Sequence, residues 1–241
     1  MAAENRITAQ MIWPTPMLTV ELADAARLNT GLAQAIVARE RAVLAGKATP
    51  VAGLADGMTA HWMEYNVLNW EEPVCVEFRT IVLRALRDYF AMLGDPDDPK
   101  FAIAGISCWA NILRFGQSLE IHHHDPGFLS GHYMVQSGEP EDSLSGGRSG
   151  YTTYFRPGFI ERTMGGEKAG PTSPWDAEWH FAEPPRPGRL FFFPSYVRHE
   201  VRPNLSKTPR ISIAMDVYLR EQQASKMLFF APPRWFRPPM Q

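Results

Sequence analysis

A mainly β chain with helices ahead of its sheets, closing as a sandwich or jelly-roll barrel, is predicted by two observations. The first is a change of period at Gly94-Asp95-Pro96-Asp97-Asp98-Pro99. Ahead of this breaker, apolar residues recur at helical spacing. Beyond it they alternate or run continuously and are rich in β-branched and aromatic side chains. The second is that no helical pattern interrupts the later half, where turns rich in Gly, Pro and Ser separate the apolar runs; antiparallel sheets stacked or closed on themselves read this way. A chain of 241 residues can bury one sizeable core. One domain over 1–241 is therefore expected, with helical support in 1–100, the jelly-roll core in 101–220 and a tail in 221–241.

In chain order, Trp13-Pro14-Thr15-Pro16 with Met17-Leu18-Thr19-Val20 reads as an edge strand, because proline is tolerated at strand starts. Leu28, Leu32, Ala35 and Ile36 mark a first helix, with Asp24 as its N-cap and Arg39 and Arg41 suiting its C-terminal end. His61-Trp62 and Leu68-Asn69-Trp70 read as a loop that packs aromatics on the body. Pro73 opens a second helix, whose apolar face runs through Val74, Phe78, Ile81, Val82, Ala85 and Tyr89 to about Leu93. Eight strands follow: Phe101 to Phe115, Leu119 to His123, Leu129 to Val135, Tyr151 to Phe155, Trp179 to Ala182, Arg189 to Phe193, Glu200 to Pro203 and Arg210 to Leu219. The loops Gln136 to Gly150 and Arg156 to Pro174 are long enough to be lids or substrate contacts. The tail from Phe229 to Pro239 is aromatic and proline-rich, suited to covering the barrel, completing a pocket or joining a homodimer.

Composition excludes several classes. A net charge of −2 with 21% charged residues is neither a basic nucleic-acid binder nor a disordered polyelectrolyte. No run reaches the ~18 apolar residues of a membrane span, and no basic and apolar leader opens the sequence. Cys75 and Cys108 are too few for a disulfide framework. A cytoplasmic protein with free thiols is expected.

The chemistry gathers at Glu120-Ile121-His122-His123-His124-Asp125-Pro126-Gly127. An oxygen-activating ferrous site needs three protein ligands on one face, usually two imidazoles and a carboxylate, with positions left open. On a strand, donors at i and i+2 share a face. The run offers two such pairs, His122 with His124 or His123 with Asp125, and the usual histidine-and-carboxylate set favours the second. His199, just past Leu190-Phe191-Phe192-Phe193-Pro194, is the third donor. Arg210 and Ser212 share a strand face further on, and a guanidinium beside a hydroxyl is a receptor for a carboxylate tail, which points to a dicarboxylate cosubstrate.

Trp109-Ala110-Asn111, Gly116, His122-His123-His124, Leu129-Ser130-Gly131-His132-Tyr133, Gly188-Arg189-Leu190, Phe193-Pro194-Ser195, His199-Glu200-Val201-Arg202-Pro203-Asn204 and Arg210-Ile211-Ser212 together resemble a family of Fe(II)/2-oxoglutarate oxygenases. The family pattern runs W-x-N, H-x-H, LSG-x-YY, G-x-L, FPS, H-x-V-x-PN and R-x-S in the same order. The resemblance implies a double-stranded β-helix, iron on His122, His124 and His199, and 2-oxoglutarate held by Arg210 with Ser212. Asn111 and Tyr133 would contact the cosubstrate. The implied reaction is hydroxylation of a small-molecule or amino-acid/peptidyl substrate, with release of succinate and CO2. Asp125-Pro126 stands where the family has proline alone, which leaves Asp125 as an alternative carboxylate ligand, and His132 and Met134 alter the surroundings of Tyr133. A cupin-like metal enzyme without 2-oxoglutarate and a non-catalytic metal-binding barrel are the competing readings, and Arg210 with Ser212 argues against the first.

Overall fold

The computed structural model describes residues 15–45, 66–93, 101–124, 126–139, 147–157, 180–221 and 236. Its first sheet has the order β1 (Leu18–Glu21), β7 (Arg189–Pro194), β4 (Leu129–Gln136), β9 (Arg210–Glu221), β2 (Phe101–Leu113). The second runs β3 (Leu119–His122), β8 (His199–Val201), β5 (Thr152–Phe155), β6 (His180–Glu183). Every pairing is antiparallel. Sequence-distant strands become neighbours, as His199 does with His122 and Arg210 with Leu113. This is a double-stranded β-helix.

Two helices, α1 (Ala26–Ala45) and α2 (Pro73–Leu93), cover the outer face of the first sheet. Leu28, Leu32 and Ile36 of α1 and Phe78, Val82, Leu86 and Tyr89 of α2 are fully buried against Ile106, Cys108, Leu129, Tyr133, Ile211, Ile213 and Met215. Burial of each large apolar side chain contributes about 1.5–3 kcal/mol, so this helix-on-sheet layer holds most of the apolar stabilisation. Between the sheets the apolar cluster is small: Tyr154, Phe191, Phe193 and Val197. Among the described residues, Trp109 and Met134 join it, beside buried polar groups such as Asn111, Ser130, Thr152, Arg210, Ser212 and Asp216.

Two local expectations change. Helix α1 begins at Ala26, and the Ala25 carbonyl accepts its first hydrogen bond from Asn29 at 2.8 Å, so Ala25 occupies the cap position and Asp24 lies one residue too early. Arg39, expected to serve the helix dipole, instead pairs with Glu72 at 2.7 Å and stacks over Trp70. Pro73 does open α2. Cys75 and Cys108 are buried free thiols, and burial pushes Cys75 up to about 11.

Gly131 has a steric reason. It is the register partner of Phe192, and a Cβ there would lie 2.5 Å from the Phe192 ring and 2.8 Å from the Phe191 carbonyl. The Leu-Ser-Gly motif thus lets β4 and β7 close together. Phe236, in the tail, exchanges two backbone hydrogen bonds with Ile106 on the outer edge of β2 and lies under Arg79. His61, the two long loops beyond their ends, and the remainder of the tail fall outside the described residues, as does Asp125.

Candidate metal and cosubstrate site

The histidine run straddles the end of β3. A register shift between Leu119 and His122 inserts an extra residue against β8, so Leu119 and His122 pair with Val201 and His199 while Glu120 and Ile121 lie exposed. The bulge turns His122 inward opposite His199. Beyond the strand, His124 is held by its backbone: its N–H donates to the Ser195 carbonyl at 3.1 Å, and its own carbonyl accepts from Gly127 at 2.9 Å. The Ser195 hydroxyl also donates to the Gly127 carbonyl. The Phe-Pro-Ser motif is therefore a clamp on the turn that follows the histidines.

One ligand atom from each of His122, His124 and His199 comes within 4.8 Å of the others. The ring centroids lie 4.3 Å apart for His122 and His199, 5.0 Å for His122 and His124, and 5.1 Å for His124 and His199. Each Nδ1 faces an acceptor. His122 Nδ1 is 2.6 Å from the Glu120 carbonyl, His199 Nδ1 is 3.1 Å from the Val197 carbonyl, and His124 Nδ1 is 3.2 Å from Asp216 Oδ2. Carbonyls and carboxylates require the proton on Nδ1, which leaves the Nε2 lone pairs of all three rings for a cation. Burial lowers the pKa of His122 and, more strongly, that of His199, favouring the neutral, ligating form. A borderline divalent metal fits this donor set. His123, by contrast, is exposed.

Further along the same interior, β9 presents Arg210, Ser212 and Asp216 on one face by strand alternation, while Ile211, Ile213 and Met215 face the helices. Arg210 is 2% exposed. Its Nε donates to the Gly150 carbonyl at 3.0 Å, Nη1 to Ser212 Oγ at 2.9 Å and Nη2 to Thr152 Oγ1 at 3.2 Å. Gly150 takes the left-handed conformation, φ 65°, and a Cβ there would come within 3.2 Å of the Arg210 side chain. All three partners are neutral, and no ion pair among the described residues includes Arg210. Burial pulls its pKa down to about 10, so it stays cationic. A buried cation set only in neutral acceptors is a seat for an anion.

His132 and Tyr154 lie between these groups. The His132 Nε2 and the Tyr154 hydroxyl share a short hydrogen bond, and Tyr154 stacks 5.8 Å from His199. Burial, with the nearby charges of Arg210 and Arg189, pushes His132 down to about 3. A neutral imidazole bonded to a tyrosine hydroxyl and flanked by Phe191 and Phe193 forms the apolar wall. Phe192 and Phe155 are not part of it: Phe192 faces the helices, and Phe155 lies on the face of β5 opposite Tyr154.

Of the residues the sequence points to, the structure gathers His122, His124, His199, Arg210 and Ser212 on one interior. Asn111 joins them as the buried register partner of Ser212. Tyr133 does not. Its hydroxyl donates to Asn29 Oδ1 of α1 at 2.6 Å and its ring lies 5.1 Å from Phe78, on the helix side of β4. Strand alternation puts His132 on the interior in its place. Asp216, Thr152 and Tyr154 were given no site role in the sequence reading, and Ser130 entered it only as part of the Leu-Ser-Gly motif. For Asp216 a signal existed, since a carboxylate inside the apolar run from Ile211 to Leu219 is rare unless partnered.

Residues 107–216 match the model of a family described as "Putative 2OG-Fe(II) oxygenase". A search of curated proteins found no match. Among solved structures, the chain is similar to SnoN, a non-heme alpha ketoglutarate dependent epimerase from nogalamycin biosynthesis, with a TM-score of 0.51, 13% identity and 93% of each chain covered. It is also similar to a prolyl-4-hydroxylase from Pseudomonas putida (TM-score 0.47, 14% identity, 84% of this chain and 86% of that one). A third is a prolyl hydroxylase from Trichoplax adhaerens in complex with a hypoxia inducible factor peptide fragment (TM-score 0.47, 13% identity, 84% and 83%). At these identities the likeness to SnoN speaks for the fold. The matched segment begins in β2 and ends at Asp216, so it contains all three histidines and Arg210. Over residues 107–216 the chain is thus similar to a family of 2OG-Fe(II) oxygenases, oxidoreductases that work with Fe(II) and 2-oxoglutarate.

Proposed function

We propose that the protein hydroxylates a small-molecule or amino-acid/peptidyl substrate, converting 2-oxoglutarate and O2 to succinate and CO2, with iron held by His122, His124 and His199. Bound there, iron supplies the oxygen chemistry. The protein supplies placement. One ligand atom from each of the three histidines, within 4.8 Å of the others, would hold the metal, while Arg210, assisted by Ser212 and Thr152, takes the distal carboxylate of the cosubstrate, with Asn111 beside Ser212. Tyr154, Phe191 and Phe193 keep water from the region between. The observation that carries this reading is the pairing of a histidine triad with a buried arginine that has no carboxylate partner among the described residues, both on the interior of one β-helix.

The test is succinate formation. Protein is incubated with Fe(II), 2-oxoglutarate and O2 over a panel of amino acids, peptides and small cyclic compounds. Iron-dependent succinate, matched by a product heavier by one oxygen, is the expected result. No iron-dependent succinate across the panel would remove the proposal.

A further inference from the structure

Asp216 stands directly behind one of the three histidines. The residue is buried, with its side chain 8% exposed; Oδ2 accepts from His124 Nδ1 at 3.2 Å and Oδ1 accepts from the Ser130 hydroxyl at 2.7 Å. The residue is fixed from both sides, because its register partners are Ser107 on β2 and Ser130 on β4. His122 and His199 lean on backbone carbonyls instead. Among the described residues, His124 alone of the triad has a charged partner. Trp109 also packs beside His124, with ring centroids 5.7 Å apart.

A ferrous site of two imidazoles and a carboxylate carries its negative charge among the ligands themselves. Three neutral imidazoles carry none. We propose that Asp216 is a positioning residue of this site: it fixes the His124 tautomer and ring orientation and provides, one hydrogen bond behind the ligand, the negative charge that a three-histidine set lacks. A carboxylate accepting from the far nitrogen of a ligating imidazole makes that imidazole a stronger donor, and loss of such a partner typically costs about 10- to 100-fold in metal affinity. Ser130 acts one step further out, by holding the carboxylate in its orientation.

This inference rests on the triad being the metal site, and the experiment separates the two. Co(II) is titrated into the metal-free protein, with affinity and the ligand-field absorption spectrum as readouts and the thermal midpoint of the metal-free protein as the folding control. Wild type is expected to bind one Co(II), and His199→Ala none. Asp216→Ala should bind about 10- to 100-fold more weakly with an altered spectrum, at a metal-free midpoint close to wild type. Asp216→Asn, which keeps an acceptor but no charge, should fall between. Should both Asp216 variants fail to fold, Ser130→Ala decides, with an expected loss of a few-fold. Unchanged cobalt affinity and spectrum in folded Asp216→Ala, or unchanged affinity in Ser130→Ala if only that variant folds, would overturn the role of Asp216 and leave the metal site standing. A wild type that binds no Co(II) would overturn the metal site, and the role of Asp216 with it.

Discussion

His122 and His199 are register partners across the antiparallel pair of β3 and β8, with ring centroids 4.3 Å apart. The bulge in β3 makes this possible by turning His122, and not its neighbours, toward β8. His122→Ala should therefore abolish tight Fe(II) or Co(II) binding, while His123→Ala, at an exposed position, should leave it within about two-fold. Equilibrium dialysis of both variants checks this, and a selective loss in His123→Ala would reverse the face assignment.

Arg210 should govern cosubstrate affinity without affecting the metal. A hydrogen bond to a charged group contributes about 1.5–3 kcal/mol, so Arg210→Gln is expected to raise the KM for 2-oxoglutarate roughly 10- to 100-fold or more. Arg210→Lys should recover only part of the loss, because an ammonium cannot reproduce the planar fork set by Gly150, Ser212 and Thr152. Steady-state kinetics over 2-oxoglutarate, with metal affinity measured in parallel, tests the separation.

Asn204 should matter for stability. Its side-chain amide donates to the carbonyls of Leu113, Ser206 and Thr208 at 3.0–3.3 Å, and its backbone carbonyl accepts from Gly116 at 2.7 Å. These bonds tie the turn before β3 to the loop before β9. Asn204→Ala leaves buried carbonyls without their donor, so a loss of about 1–3 kcal/mol is expected in chemical denaturation. A change below about 0.5 kcal/mol would contradict it.

His132 predicts a pH dependence of stability. Its folded pKa, near 3, lies below the unfolded value of about 6.5. Between those limits the unfolded chain binds a proton that the folded chain refuses. The sign follows: this contribution is complete above about pH 6.5 and is lost as pH falls toward 3, with a slope of up to about 1.4 kcal/mol per pH unit. His132→Gln should flatten the stability curve between pH 4 and 6 by up to one proton, as read from urea denaturation at a series of pH values. An unchanged slope would show that His132 does not enter the fold neutral.

The strands beyond the Gly94–Pro99 break were legible because period and turn chemistry agree along the chain, and the three histidines were named through the ordered motifs that carry the family resemblance, since β3 ends at His122 and His124 lies past it. Residue pattern alone left His122 with His124 and His123 with Asp125 both open, and the resemblance implied the first; the bulge in β3 that turns His122 inward is set by pairing with a strand far away in sequence. Tyr133 was misplaced for a related reason. Both faces of β4 are buried, so the alternation that marks inside from outside is absent, and His132 and Tyr133 look equally suited to a pocket. Asp24 shows the usual uncertainty of a helix start. The carboxylate behind His124 could not be inferred from spacing, because Asp216 meets it only across the β4–β9 pair and the turn clamped by Ser195.

The most direct test of a joint metal and cosubstrate site is oxygen-free calorimetry of 2-oxoglutarate binding to the Mn(II)-loaded protein, beside the metal-free protein and Arg210→Gln. One 2-oxoglutarate per chain is expected for the loaded wild type, with affinity sharply reduced both by removing the metal and by the Arg210 substitution. Binding of equal strength to the loaded protein, the metal-free protein and Arg210→Gln would contradict it.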